Sequence, residues 1–166
     1  MTVTAEQAAA EGVPELDVES PDTLRLAERV SIAVRVEPAL LRAVRLRLCP
    51  TLPAAAEADL WFSGLIEARN RSGFTMLPWV RVALQQRLAA NRRDLDSAWQ
   101  ITRAGHARTP RLMRIEEELV WLALSGAPDE MLTTHLDAII GALRRDPDRG
   151  RGLAQWAARE QSPPAH

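Results

Sequence analysis

Lysine and tyrosine are missing altogether from these 166 residues, and each of the 21 basic side chains is an arginine. Whole chemistries leave with them. Without lysine there is no Walker-type residue for nucleotide phosphates and no Schiff base with pyridoxal phosphate or a carbonyl substrate; without tyrosine there is no phenolic acid or nucleophile. The single cysteine, Cys49, permits no internal disulfide and offers only one thiolate to a metal. His106, His135 and His166 add imidazoles, but no pair has ligand spacing, and the Glu-x-x-His string of a di-iron bundle is absent. Neither a metal nor any other cofactor is therefore expected. The chain also lacks a Gly-x-Ser-x-Gly elbow, and Gly150-Arg151-Gly152 is too little for a phosphate loop, so the reading is of a protein that is not an enzyme. No run of about 18 apolar residues occurs, and Met1 to Gly12 is acidic and alanine-rich where a secretory signal would be basic and then apolar. A cytoplasmic location with no membrane partner is expected.

What is present is unevenly distributed. The formal net charge is −1, yet residues 1 to 23 hold Glu6, Glu11, Glu15, Asp17, Glu19 and Asp22 with no arginine, which leaves the body basic. Few large apolar residues and no sustained period occur before Glu19, so residues 1–20 read as a disordered acidic leader, 21–160 as one helical domain and 161–166 as a polar tail. Within the body, prolines recur just inside helical patterns, where a fixed φ and a missing N–H cost nothing: Pro21, Pro38, Pro53, Pro78, Pro110 and Pro128. Ser20 and Thr109 precede two of them as candidate N-caps, and Asp94 is a candidate cap for a helix without a proline. The pattern predicts helices over about 21–35, 38–48, 54–62, 78–90, 95–107, 110–124 and 128–144, with Gly126 as a C-cap and a weak last helix around Leu153 and Trp156. Residues 63–77 read as a long irregular connection with a turn at Asn70-Arg71-Ser72-Gly73, and no strand is expected. The fold class is all-α: a compact bundle of about seven short helices.

Candidate site residues come from what the helical faces leave over. His106 falls in the apolar stripe of Leu95, Trp99 and Thr102 near a helix C-terminus, which points to a buried, hydrogen-bonded imidazole. Of the acidic run Glu116-Glu117-Glu118, the stripe of Leu112, Ile115, Leu119 and Leu122 turns Glu117 to solvent and sets Glu116 and Glu118 at the core edges. Arg25, Arg29, Arg42, Arg45 and Arg47 make the first two helices a candidate basic surface for nucleic acid, a disfavoured reading because no recognisable motif accompanies them. Five tryptophans fall one to a helix, and Trp121 lies off its helix's main stripe. Helix 54–62 presents Trp61 and Phe62 beside Glu57 and Asp59, and these four with Trp121 are the interaction candidates.

Two stretches also resemble a known setting: Ala56-Glu57-Ala58-Asp59-Leu60-Trp61-Phe62-Ser63 and the helix from Pro110 to Leu124, with its Glu116-Glu117-Glu118-Leu119-Val120-Trp121 centre. Together they are similar to a helical domain found on the N-terminal side of bacterial multidomain proteins, ahead of formylglycine-generating-enzyme-like, peptidase or signalling-NTPase modules. The resemblance covers about residues 24 to 145 and implies an adaptor or effector-associated domain of a bacterial conflict, defence or signalling system. Its implied partner is another protein or a further domain, with self-association included. The alternative is a regulatory helical domain contacting nucleic acid through its first two helices.

Overall fold

A computed structural model describes residues 20–144 of the chain. They belong to two compact units that divide between Gly126 and Ala127, within the stretch expected to be one bundle. The leader before Ser20, the helix expected around Leu153 and Trp156, and the polar tail lie outside the described residues.

The first unit runs through α1 (Pro21–Val30), α2 (Pro38–Leu48), α3 (Ala55–Phe62), β1 (Ile66–Asn70), β2 (Gly73–Met76), α4 (Pro78–Ala89), α5 (Arg92–Gly105) and α6 (Arg111–Leu124). Proline and cap chemistry start most of these helices. Ser20 accepts the Thr23 N–H at 3.1 Å ahead of Pro21, and Pro38 and Pro78 occupy the first turns of α2 and α4. Two expected caps are corrected. Asn91, not Asp94, caps α5 by accepting the Asp94 N–H, which leaves the Asp94 carboxylate free to meet Arg29 at 2.6 Å. Thr109 donates its hydroxyl to the His106 carbonyl, and Pro110 takes the cap position of α6. Gly126 closes α6 as expected, at φ 69° with its N–H on the Ala123 carbonyl.

The larger correction is a sheet. Residues 63–77 are not irregular: β1 and β2 pair antiparallel with Ala68 opposite Thr75, Arg69 opposite Phe74 and Asn70 opposite Gly73. The turn signal at Asn70–Gly73 is the hairpin turn itself, tightened by Asn70 Oδ1 accepting the Ser72 N–H at 2.9 Å. Gly73 sits at φ 156°, and a Cβ there would lie 2.8 Å from both the Val36 carbonyl oxygen and Arg35 Nε. The close approach exists because Val36 exchanges backbone hydrogen bonds with Phe74, adding a bridge on the far side of β2. That pairing also explains why α1 ends at Val30 rather than near 35. Ile32, Val34 and Val36 are β-branched, and after Val30 the chain passes through a turn and a bend to the bridge at Val36 instead of continuing the helix.

The main core gathers α1, α2, α3, the hairpin and α4 around Leu26, Val30, Leu41, Val44, Leu60, Phe74 and Leu84. A second cluster joins Ile32, Leu88, Leu95, Ala98 and Trp99, with Val120, Trp121 and Leu124 of α6 packed against it. The second unit contributes one described helix, α7 (Asp129–Arg144), which starts after Pro128. Among the described residues, the fold is mostly helical and no helix is long and apolar enough to cross a membrane.

Candidate interaction surface and a buried histidine cluster

Helix α3 is only eight residues long, and its two aromatic residues are sorted by the hairpin that follows. Trp61 is half-buried against the main core, edge-on to Phe74 with ring centroids 5.2 Å apart. Phe62, one position on and about 100° around the helix, is 70% exposed. Arg69 of β1 spans both: its Nη1 donates to the Trp61 carbonyl at 3.2 Å, and its guanidinium carbon lies 5.1 Å from the Phe62 ring centroid. Ala55, Ala58 and Asp59 are exposed on the same helix, with Asp59 one turn before Phe62.

The other interaction candidates are placed elsewhere. Glu57 is half-buried and accepts Arg45 Nε at 2.5 Å with Arg42 Nε at 3.8 Å, so its charge is used inside the fold. Trp121 stacks on Trp99 at 5.4 Å and 12° and donates its Nε1–H to Asp96 at 3.2 Å. The Arg92 hydrogen bond, and then that of Trp121, hold the Asp96 carboxyl below its ordinary range against the opposing effect of burial. The basic surface thins out in the same way. Arg29 is committed to Asp94 and Glu28, and Arg45 to Glu57 and the Leu52 carbonyl, while Arg25, Arg42 and Arg47 are exposed.

Sequence reasoning missed a cluster. His106, the C-cap of α5, is 1% exposed, as expected of a buried imidazole. Its Nδ1 lies 2.8 Å from Glu117 Oε1 and 2.9 Å from Oε2, and its Nε2 lies 2.7 Å from Glu37 Oε2. Glu117 is also 1% exposed, which overturns its expected place in solvent. Helix α6 is turned so that Leu112, Ile115 and Leu119 are only half-buried and the face carrying Glu117 meets the chain between α1 and α2. What favours that rotation is polar: the Val34 N–H donates to Glu117 Oε1 at 2.9 Å, and the imidazole takes the rest of the carboxylate. Glu116, beside it, receives Arg81 Nη1 at 3.1 Å. Burial alone pushes the His106 pKa down, but the hydrogen bonds and charges of Glu117 and then Glu37 outweigh it, and the net shift is upward from 6.5.

No family model, curated protein or solved structure matches this chain.

The chemistry open to each region differs. In the histidine cluster both ring nitrogens face carboxylates, so the imidazole has no nitrogen left for a substrate proton or a metal. Among the described residues, no group of three or more His, Cys, Asp or Glu side chains is arranged to hold a metal. The cluster instead ties the segment between α1 and α2, the end of α5 and the middle of α6 together. The outer face of α3 presents an exposed ring, an arginine plane laid on it and an exposed carboxylate.

Proposed function

We propose that the chain is a non-catalytic adaptor that binds another protein through the outer face of α3 and the adjoining β1, within a bacterial conflict, defence or signalling system. The observation that carries the reading is Phe62, a large ring left 70% exposed next to a well-filled core. Asp59 and Arg69 flank it with opposite charges, which suits a partner surface that has an apolar pocket for the ring and a basic side chain at its rim. The resemblance of residues 56–63 and 110–124 to helical domains of multidomain defence proteins supports the same role. The test places a photo-crosslinking phenylalanine analogue at position 62 in native-host cells, with Val82 as an exposed control site. The reading predicts a discrete adduct at 62 that Asp59→Arg removes; equal labelling at both sites would refute it.

One observation favours nucleic acid as a second reading. The order helix, bridge at Val36, helix, turn, helix and two-stranded hairpin follows the connectivity of a winged helix–turn–helix, with α3 at the position that enters the major groove in DNA-binding relatives of that plan. The side chains argue against it. The exposed positions of α3 are Ala55, Ala58, Asp59 and Phe62, with no arginine to read bases or meet phosphates. Duplex binding at low salt that is abolished by Arg42→Ala with Arg71→Ala, and left unchanged by Phe62→Ala, would reverse the order of the two readings.

A further inference from the structure

The imidazole of His106 stands between two acceptors, and its two sides differ. Ionised carboxylate oxygens only accept hydrogen bonds, so Glu117 at 2.8 Å from Nδ1 and Glu37 at 2.7 Å from Nε2 together call for a proton on each nitrogen. On the Nδ1 side everything is enclosed: Glu117 is 1% exposed, and its Oε1 also receives the Val34 N–H at 2.9 Å. On the Nε2 side the Glu37 side chain is 32% exposed and can turn away. Glu37 also occupies the cap position of α2. That helix has no side-chain cap and no acidic residue in its first turn, because the one carboxylate placed to serve it is engaged by the ring.

We propose that His106 is a proton-operated latch on the start of α2, in which loss of the Nε2 proton releases Glu37 while Nδ1–H stays on Glu117. A lone pair on Nδ1 would face a carboxylate that cannot leave its enclosure, whereas a lone pair on Nε2 faces one that can. The released carboxylate turns to the first-turn N–H groups of α2, at the positive end of the helix dipole. The event is local. Val34 stays on Glu117, Val36 on Phe74, and the Ser31 and Ile32 carbonyls on Arg81. Other charges nearby face elsewhere: Arg81 of α4 pairs with Glu116, and Arg103, Arg114 and Glu118 line, with Glu117, the groove between α5 and α6. Burial lowers the His106 pKa, but the hydrogen bonds and charges of Glu117 and Glu37 raise it above 6.5, so the latch opens as pH rises. Phe62 and Arg69 take no part, and the adaptor reading survives or fails independently.

NMR of the full chain with isotope-labelled histidine rings tests the latch between about pH 5.5 and 9, with His106 assigned through couplings to its own backbone. Both ring nitrogens should carry protons at the acid end, and Nε2 alone should lose its proton. The amide signals of Ala39 and Leu40 should move with the same midpoint. The Val34 N–H should stay slow to exchange once the intrinsic effect of pH is removed. Glu37→Gln should lower the midpoint, since its amide can donate to the Nε2 lone pair. A neutral wild-type ring that keeps its proton on Nε2 overturns the proposal, whatever the variant does. So does a ring already uncharged at the acid end, or still charged at the alkaline end. A midpoint that Glu37→Gln leaves in place also overturns it, as does loss of Val34 protection through the transition, because the cluster then opens at Glu117.

Discussion

Removing the Glu117 carboxylate should be among the most damaging single changes in the first unit. The Glu117→Ala variant takes the acceptor from the partly buried Val34 N–H and one of two counter-charges from an imidazole that is 1% exposed. Deleting one partner of a buried ion pair costs about 3 to 5 kcal/mol, and the lower end applies here because Glu37 still faces Nε2. Against a total stability on the order of 5 to 15 kcal/mol, such a loss moves a denaturant midpoint well outside error. The same cluster dictates a pH dependence. A histidine whose pKa is raised on folding contributes stability that is fully present below its unfolded value near 6.5 and is lost as pH rises through the folded value. Glu117→Gln keeps an acceptor for Val34 and removes the charge, so the fall in stability on going alkaline should shrink in that variant. Urea unfolding of wild type, Glu117→Ala and Glu117→Gln at a series of pH values between about 5.5 and 9 reads both effects. A cost below about 1 kcal/mol for the alanine variant would refute the buried-pair account. An unchanged pH slope for the glutamine variant would show that the titrating group is not this histidine.

Trp61→Ala should cost about 3 kcal/mol in urea unfolding through loss of its contact with Phe74, while Phe62→Ala stays within about 1 kcal/mol of wild type; equal costs would mean that Phe62 is also a core residue. Gly73→Ala should destabilise by about 1 to 3 kcal/mol, because the added methyl meets the Val36 carbonyl and the backbone conformation disfavours a side chain. Trp121→Phe should lower stability by about 1 kcal/mol through the lost bond to Asp96 and should raise the Asp96 pKa, measurable by NMR titration of its carboxyl. Purified, dialysed protein should carry no stoichiometric zinc or iron by elemental analysis; retained metal would contradict the sequence reading.

Local signals carried much of the helical layout. Pro21, Pro38 and Pro78 begin α1, α2 and α4 because proline's constraint is satisfied within a single turn, and Gly126 ends α6 for an equally local reason. The apolar spacing of Leu95, Trp99, Thr102 and His106 was enough to bury all four residues. The hairpin was less legible. Its first strand, Ile-Glu-Ala-Arg-Asn, faces mostly outward and alternates too briefly to register, although the Asn70–Gly73 turn and the β-branched Ile32, Val34 and Val36 were visible signs.

By itself, then, the sequence determined where the proline-led helices α1, α2 and α4 start, that His106 is inside, and that lysine, tyrosine and disulfide chemistry are excluded, because each depends on residue identity or on neighbours within about one helical turn. Only the tertiary structure decided that Trp61 belongs to the core and Phe62 to the surface, since a hairpin with Phe74 on its inner side had to fold back on α3 to separate them. It alone brought Glu37, His106 and Glu117 together. The Glu37–His106 contact spans 69 positions and the Val34–Glu117 bond spans 83, and no helical period relates residues so far apart. The rotation of α6 was settled by where the partly buried Val34 N–H and the buried His106 imidazole needed an acceptor, a requirement that arises only once the surrounding elements have packed.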